Sequence, residues 1–110
     1  MADKINTYVV TYDVSLNKPR NRLVKILEGF GKRFQYSVFL CEMNRERADE
    51  LFDKLVSFMI WKEKWETLDF ETAMKSANDS VAVFQLCGSC LGRIKYYGRE
   101  AESNEKDVVI

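Results

Sequence analysis

Residues 8–14, YVVTYDV, are β-branched or aromatic at almost every position and end on a carboxylate, a composition that suits a strand. The strand's two faces carry Tyr8, Val10 and Tyr12 on one side and Val9 and Thr11 on the other, and neither is polar enough to be left in water. A later run, SVAVFQL at 80–86, repeats the problem, with Ala82, Phe84 and Leu86 opposed to Val81, Val83 and Gln85. A sheet built from such strands must be covered on both sides.

The segments between these strands supply one cover. In SLNKPRNRLVKILEGFG, Leu23, Ile26, Leu27 and Phe30 share one face at helical spacing. Pro19 suits the first helical position and Gly31 is placed to end the helix. KRFQYSVFLCEM, 32–43, returns to extended structure, with Phe34, Tyr36, Val38 and Leu40 alternating against Gln35, Ser37 and Phe39. On pattern alone it is a single strand. Asn44 can cap a second helix with an apolar stripe of Ala48, Leu51, Phe52, Leu55 and Met59. Residues 61–79 read as an extension of that helix plus a short helical piece capped by Asp69, and Trp61 and Trp65 read as packing residues. Further extended runs follow at 94–98 and 108–110, separated by a polar loop.

Two helices that each return to strands point to an α+β sandwich, with both helices on one face of an antiparallel sheet. The other face is then free to pack on a second copy, which predicts a homodimer in which the tail strands extend or bridge the sheets. At 110 residues, 46% hydrophobic and 31% charged, the chain is expected to be one globular domain over residues 1–110, with 61–79 a helical insertion and 99–110 a tail with a terminal strand. No apolar run is long enough to span a membrane and the start, MADKIN, has no apolar signal region, so a cytoplasmic protein is expected. Cys41, Cys87 and Cys90 make a disulfide framework an unsuitable reading, and Cys87 and Cys90, though spaced CxxC, lack the further ligands a structural zinc requires. They read as packing residues at a strand end and turn.

The formal net charge is zero, but the distribution is uneven. Residues 1–33 carry seven basic groups against three acidic, and residues 34–79 carry six against ten. Lys18, Arg20 and Arg22 crowd a helix N-terminus, where the macrodipole disfavours cations unless an anion such as phosphate lies between them; pairing with Asp3 or Glu28 is the alternative. Asp13 lies at the strand end beside this cluster. As a turn former or a salt-bridge partner it would have no chemistry. Yet the chain has no histidine, so a hydrolytic site here would substitute a hard divalent cation that activates water. One carboxylate is a poor magnesium site, whereas two Asp13 side chains meeting across a dimer axis are a plausible one.

Taken together, YDV closing the first strand, a helix opening with Arg20 and Arg22 and closing EGFG, and Arg33 leading into Gln35-Tyr36-Ser37-Val38-Phe39 resemble the CRISPR-associated protein 2 family. DSVAVFQLC and IKYYGRE resemble that family's final strands. The resemblance implies a ferredoxin-like βαββαβ domain with an additional C-terminal strand, dimerising sheet to sheet, in which KRFQYSVFLCEM holds two short strands and a tight bend. It implies a metal-dependent endonuclease acting on RNA or double-stranded DNA, with Mg2+ or Mn2+ shared across the dimer by Asp13. Tyr12 would be its neighbour in the site. Arg20, Arg22, Arg33 and Lys18 would contact phosphates, and Phe39, in the matched strand near the dimer centre, would also bind nucleic acid.

The family also bridges copies of the integrase, CRISPR-associated protein 1, during spacer acquisition, so a non-catalytic adaptor that holds duplex DNA is the alternative function. Two departures stand out. The stretch 61–79 is longer than in most members, and Leu40 occupies a position where many members carry a carboxylate, with Glu42 two residues on. RFQYSVF also has a superficial likeness to an aromatic RNA-binding strand, although the glycine pattern of that class is missing. A ribonuclease toxin of related fold is a further alternative.

Overall fold

The computed structural model describes residues 4–86. Along them run β1 (Asn6–Asp13), α1 (Asn17–Glu28), β2 (Lys32–Gln35), β3 (Val38–Met43), α2 (Arg45–Glu66), α3 (Phe70–Lys75) and β4 (Ser80–Leu86). The strands form one antiparallel sheet in the order β2-β3-β1-β4, which with the two helical crossovers is the ferredoxin-like arrangement. The expected runs at 94–98 and 108–110, together with Cys87 and Cys90, lie outside the described residues.

Register decides which side chains meet the helices. Val10 pairs with Phe39 on one side and Val83 on the other, and Tyr8 pairs with Cys41. These residues, with Tyr12 and Met43, share the covered face and pack against Leu23 and Leu27 of α1 and Ala48, Leu51, Leu55 and Phe58 of α2. The side chains one position out of phase, Val9, Thr11 and Asp13 of β1, Val38 and Leu40 of β3, and Ala82 and Phe84 of β4, fall on the opposite face. No helix of the described residues covers that face, and Phe84 is 55% exposed there.

Local signals account for most element ends. The Asn44 side chain accepts from the Arg47 N–H at 2.8 Å and starts α2, and the Asp69 side chain accepts from the Thr72 N–H at 2.9 Å and starts α3. Pro19 lies third in α1 rather than first, still within the turn whose N–H groups have no helical acceptor.

Two expectations are corrected. Lys32–Met43 is not one strand but the β2–β3 hairpin, turning at Tyr36 and Ser37. The two-residue turn pairs Gln35 with Val38 and so shifts the period-2 parity, and the register shift between Arg33 and Gln35 shifts it back, so the alternation from Lys32 to Leu40 reads as if along one strand. Gly31 does not end α1, because Gly29 is its C-cap. Gly31 is needed by packing instead: a Cβ there would lie 2.3 Å from the Leu40 carbonyl oxygen and 2.6 Å from Cys41 Sγ.

Residues 61–66 continue α2, and α3 follows after a short turn. No helix of the described residues is long and apolar enough to cross a membrane.

Candidate nucleic-acid and metal site

Asp13 is the last residue of β1 and pairs with Ser80 of β4. Its position in the alternation turns its side chain away from the helices, onto the uncovered face, where it is exposed. Among the described residues no hydrogen bond or ion pair engages its carboxylate. A carboxylate left without a partner at the rim of a sheet is chemically available as a hard oxygen ligand. Among the described residues no three Asp, Glu or Cys side chains converge as a metal-binding group.

Tyr12 points the other way, into the core, with only 6% of its surface exposed. Its hydroxyl donates to the Tyr36 carbonyl at 3.2 Å and joins the end of β1 to the β2–β3 turn, where the Tyr12 N–H also donates to the Ser37 carbonyl. Burial raises its pKa above 10.0, against the lowering influence of Arg33 and Arg20 and a hydrogen bond with Arg33. Tyr12 is therefore a protonated donor at neutral pH and not a base. Arg33 completes the cluster, its guanidinium 5.6 Å from the centre of the Phe39 ring.

Phe39 itself is wholly buried, beside Tyr12 with ring centroids 6.3 Å apart. This corrects the expectation that it touches nucleic acid: its register with Val10 turns it into the helix-covered core, and it supports Tyr12 and Arg33 from beneath.

The basic cluster of the α1 N-terminus divides in two. The Arg20 guanidinium donates to the Val14 carbonyl at 2.8 Å and the Ser15 carbonyl at 3.3 Å, and also bonds the Asn17 side chain. It thus stays with the loop that follows Asp13. Arg22 and Lys18 go to α2 instead. Arg22 lies 4.2 Å from the centre of the Trp61 ring and Lys18 5.7 Å from that of Trp65, and the two indoles stack at 6.0 Å. Both cations remain exposed on the helical layer. An arginine stacked on an indole keeps its N–H fork free at the edges, so Arg22 can still meet a phosphate.

Sequence reasoning missed the groups that hold the site loop. Ser15 donates its N–H at 3.0 Å and its hydroxyl at 2.8 Å to Asp79 Oδ1, from just before β4. The only signal was topological: if β1 and β4 are neighbours, the residue entering β4 must lie beside the residue leaving β1.

Residues 6–94 match the family model of the CRISPR associated protein Cas2. The chain is similar to a CRISPR-associated endoribonuclease Cas2 of Methanospirillum hungatei, 32% identical over 102 residues that cover 93% of this chain and 96% of that one. It is also similar to one of Thermus thermophilus, 32% identical over 99 residues that cover 90% and 89%. Among solved structures it resembles a crystal structure of cas2, with a TM-score of 0.65 at 22% identity over 90% of this chain and 93% of that one. It also resembles a chain of a partial Cas6-RT-Cas1–Cas2 complex, with a TM-score of 0.58 at 22% identity over 78% and 83%.

Proposed function

The chain belongs to the CRISPR-associated protein Cas2 family, and from that premise we propose that it is a metal-dependent endonuclease that hydrolyses phosphodiester bonds of RNA or double-stranded DNA, acting in spacer acquisition as a homodimer with the family's integrase. The observation that carries this reading is the exposed Asp13 carboxylate, without a partner among the described residues, on the sheet face that no helix of those residues covers.

Packing that face on a second copy brings the rims of two β1 strands together, and each supplies one Asp13. Two carboxylates are a sufficient protein contribution to a magnesium or manganese site whose shell is completed by water and substrate oxygens. When bound, the cation supplies a polarised water and neutralises charge on the phosphate. The chain's own residues do the positioning. Arg20 keeps the loop after Asp13 closed, Arg33 and Arg20 place positive charge beside it, and protonated Tyr12 ties it to the β2–β3 turn. Arg22 and Lys18, on the helical layer, extend the phosphate-binding surface. The sequence carries no base-reading signature, so recognition is of backbone and shape.

A second reading, a non-cleaving adaptor that holds duplex DNA and bridges integrase copies, is favoured by the lack of any group of three or more metal-ligating side chains among the described residues. Titration of Mg2+ or Mn2+ into matched RNA and duplex DNA substrates, with wild type beside Asp13→Asn, separates the two. Under the nuclease reading Asp13→Asn loses at least about a hundredfold in cleavage while nucleic-acid affinity changes by less than about twofold, and chelation of the metal stops the wild type. A wild type that cuts neither substrate with either metal, together with an Asp13→Asn that supports spacer acquisition, would leave the adaptor standing.

A further inference from the structure

The loop Val14–Leu16 joins the strand that ends at Asp13 to helix α1, and its polar groups are claimed from two sides. Arg20 takes the Val14 and Ser15 carbonyls from the α1 side. Asp79 takes the Ser15 N–H and hydroxyl from the β4 side, through a single oxygen, Oδ1. Its other oxygen pairs at 2.9 Å with Lys62 Nζ, and Lys62 also pairs with Glu66 one helical turn on.

The three charged side chains are largely buried. The side chains of Lys62 and Asp79 are 3% and 2% exposed, and that of Glu66 12%. One ammonium between two carboxylates leaves one negative charge uncompensated, and a buried carboxylate in that state needs donors. The two donors of Ser15, which lies at the exposed edge of the cluster, answer that need as charge-assisted hydrogen bonds, which are stronger than neutral ones. The excess charge of the Lys62 cluster is therefore tied to the geometry of the loop next to Asp13.

We propose that Asp79 is a positioning residue of the Asp13 site, fixing the Val14–Leu16 loop through Ser15 and fixed in turn by Lys62 of α2. The proposal rests on the reading of Asp13 as the metal-binding carboxylate. Asp79 touches neither metal nor nucleic acid; it sets the angle at which β1 delivers its last residue. The α2 extension thereby becomes part of the site's support.

The test compares Asp79→Ala, Asp79→Asn and Ser15→Ala with wild type in the full chain, by residue-resolved amide hydrogen exchange and by metal-dependent cleavage. In Asp79→Ala the Ser15 amide should exchange at least about tenfold faster, as expected for losing a charge-assisted bond, while Val10 and Leu23 in the core change less. Cleavage should lose kcat by a similar factor with KM within about twofold. Asp79→Asn keeps an acceptor for Ser15 and should recover part of both effects. Ser15→Ala, which removes one donor, should fall between, and these two variants decide the matter if Asp79→Ala does not fold. Ser15 exchange that stays at the wild-type rate, or rises uniformly across β1 and α1, overturns the proposal. So does a loosened loop with unchanged kcat when Asp13→Asn is inactive. If instead the wild type does not cleave, or Asp13→Asn cleaves normally, the nuclease reading fails, and the exchange data still report whether Asp79 holds the loop.

Discussion

The Arg22 guanidinium rests 4.2 Å from the centre of the Trp61 ring. Arg20, two residues earlier on the same helix, reaches the Val14 carbonyl instead, so the two arginines serve different surfaces. Arg22 is exposed and bonds no backbone group of the loop, so Arg22→Gln should act on binding alone. It should weaken duplex and RNA affinity by a few-fold, lower the salt slope by about one, and cost the fold no more than about 1 kcal/mol from the lost stacking. Fluorescence anisotropy over a salt series checks this. An unchanged slope would remove Arg22 from the phosphate-binding surface.

Gly31 and Gly29 stand two residues apart with opposite tolerance. A Cβ on Gly31 meets the Leu40 carbonyl oxygen at 2.3 Å and the Cys41 Cα at 2.8 Å, and backbone cannot move aside as a flexible side chain can. A Cβ on Gly29 comes no nearer than 3.4 Å, to the Ile26 carbonyl oxygen. Gly31→Ala should therefore cost about 1–3 kcal/mol or more in urea unfolding, by forcing β2 away from β3, while Gly29→Ala stays within about 0.5 kcal/mol. Equal losses would show that overlap with β3 is not what demands glycine at 31.

What could be read from the sequence divides by the range over which each signal acts. Asn44 and Asp69 declared two helix starts because a cap bonds three residues ahead. The separation of Arg20 from Arg22 was also within reach, since about 100° per residue places them on nearly opposite sides of α1. The basic cluster looked like one patch only because charge was counted along the chain. Phe39 was placed in the right strand, but alternation alone does not say which face meets the helices; register with Val10 does. The Ser15–Asp79 contact spans 64 residues, and no periodicity carries such a pairing. The Arg33 cluster lies between these extremes, because it depends on a hairpin turn that the alternation concealed.

Alkaline pH should loosen the fold in stages. Burial pushes the Cys41 thiol from 9.0 up to about 11, and burial likewise raises the Tyr12 hydroxyl above 10.0. For Lys62 burial works to lower the value, but the hydrogen bonds and charges of Glu66 and Asp79 outweigh it and the ammonium is held above 10.5. All three groups bind their protons more tightly folded than unfolded. Their contribution is therefore complete below pH 9 and declines as pH rises, with Cys41 lost first between 9 and about 11. Cys41→Ala should lower stability at neutral pH yet flatten the decline over that window by about 2 kcal/mol, measured by urea unfolding at stepped pH. Parallel curves for wild type and variant would remove Cys41 as the source.

The uncovered sheet face tests the proposed homodimer directly. Val9, Leu40 and Ala82 lie on it half-buried within one chain, Phe84 is 55% exposed, and Asp13 stands at its rim. Removing such a surface from water is favourable by about 25 cal/mol per Å2 of apolar area, so a second copy stacked sheet to sheet gains what a lone chain forgoes. A charge within that contact would be desolvated without a partner. Phe84→Asp should therefore raise the dimer dissociation constant by about a hundredfold or more in sedimentation equilibrium, while the helix-covered core, which does not contain Phe84, keeps each chain folded. If two Asp13 carboxylates share one cation, the same variant should abolish metal-dependent cleavage even though Asp13 is intact. A wild type that sediments as a monomer at micromolar concentration, or a monomeric Phe84→Asp that still cuts, would show that the chemistry does not need the second copy.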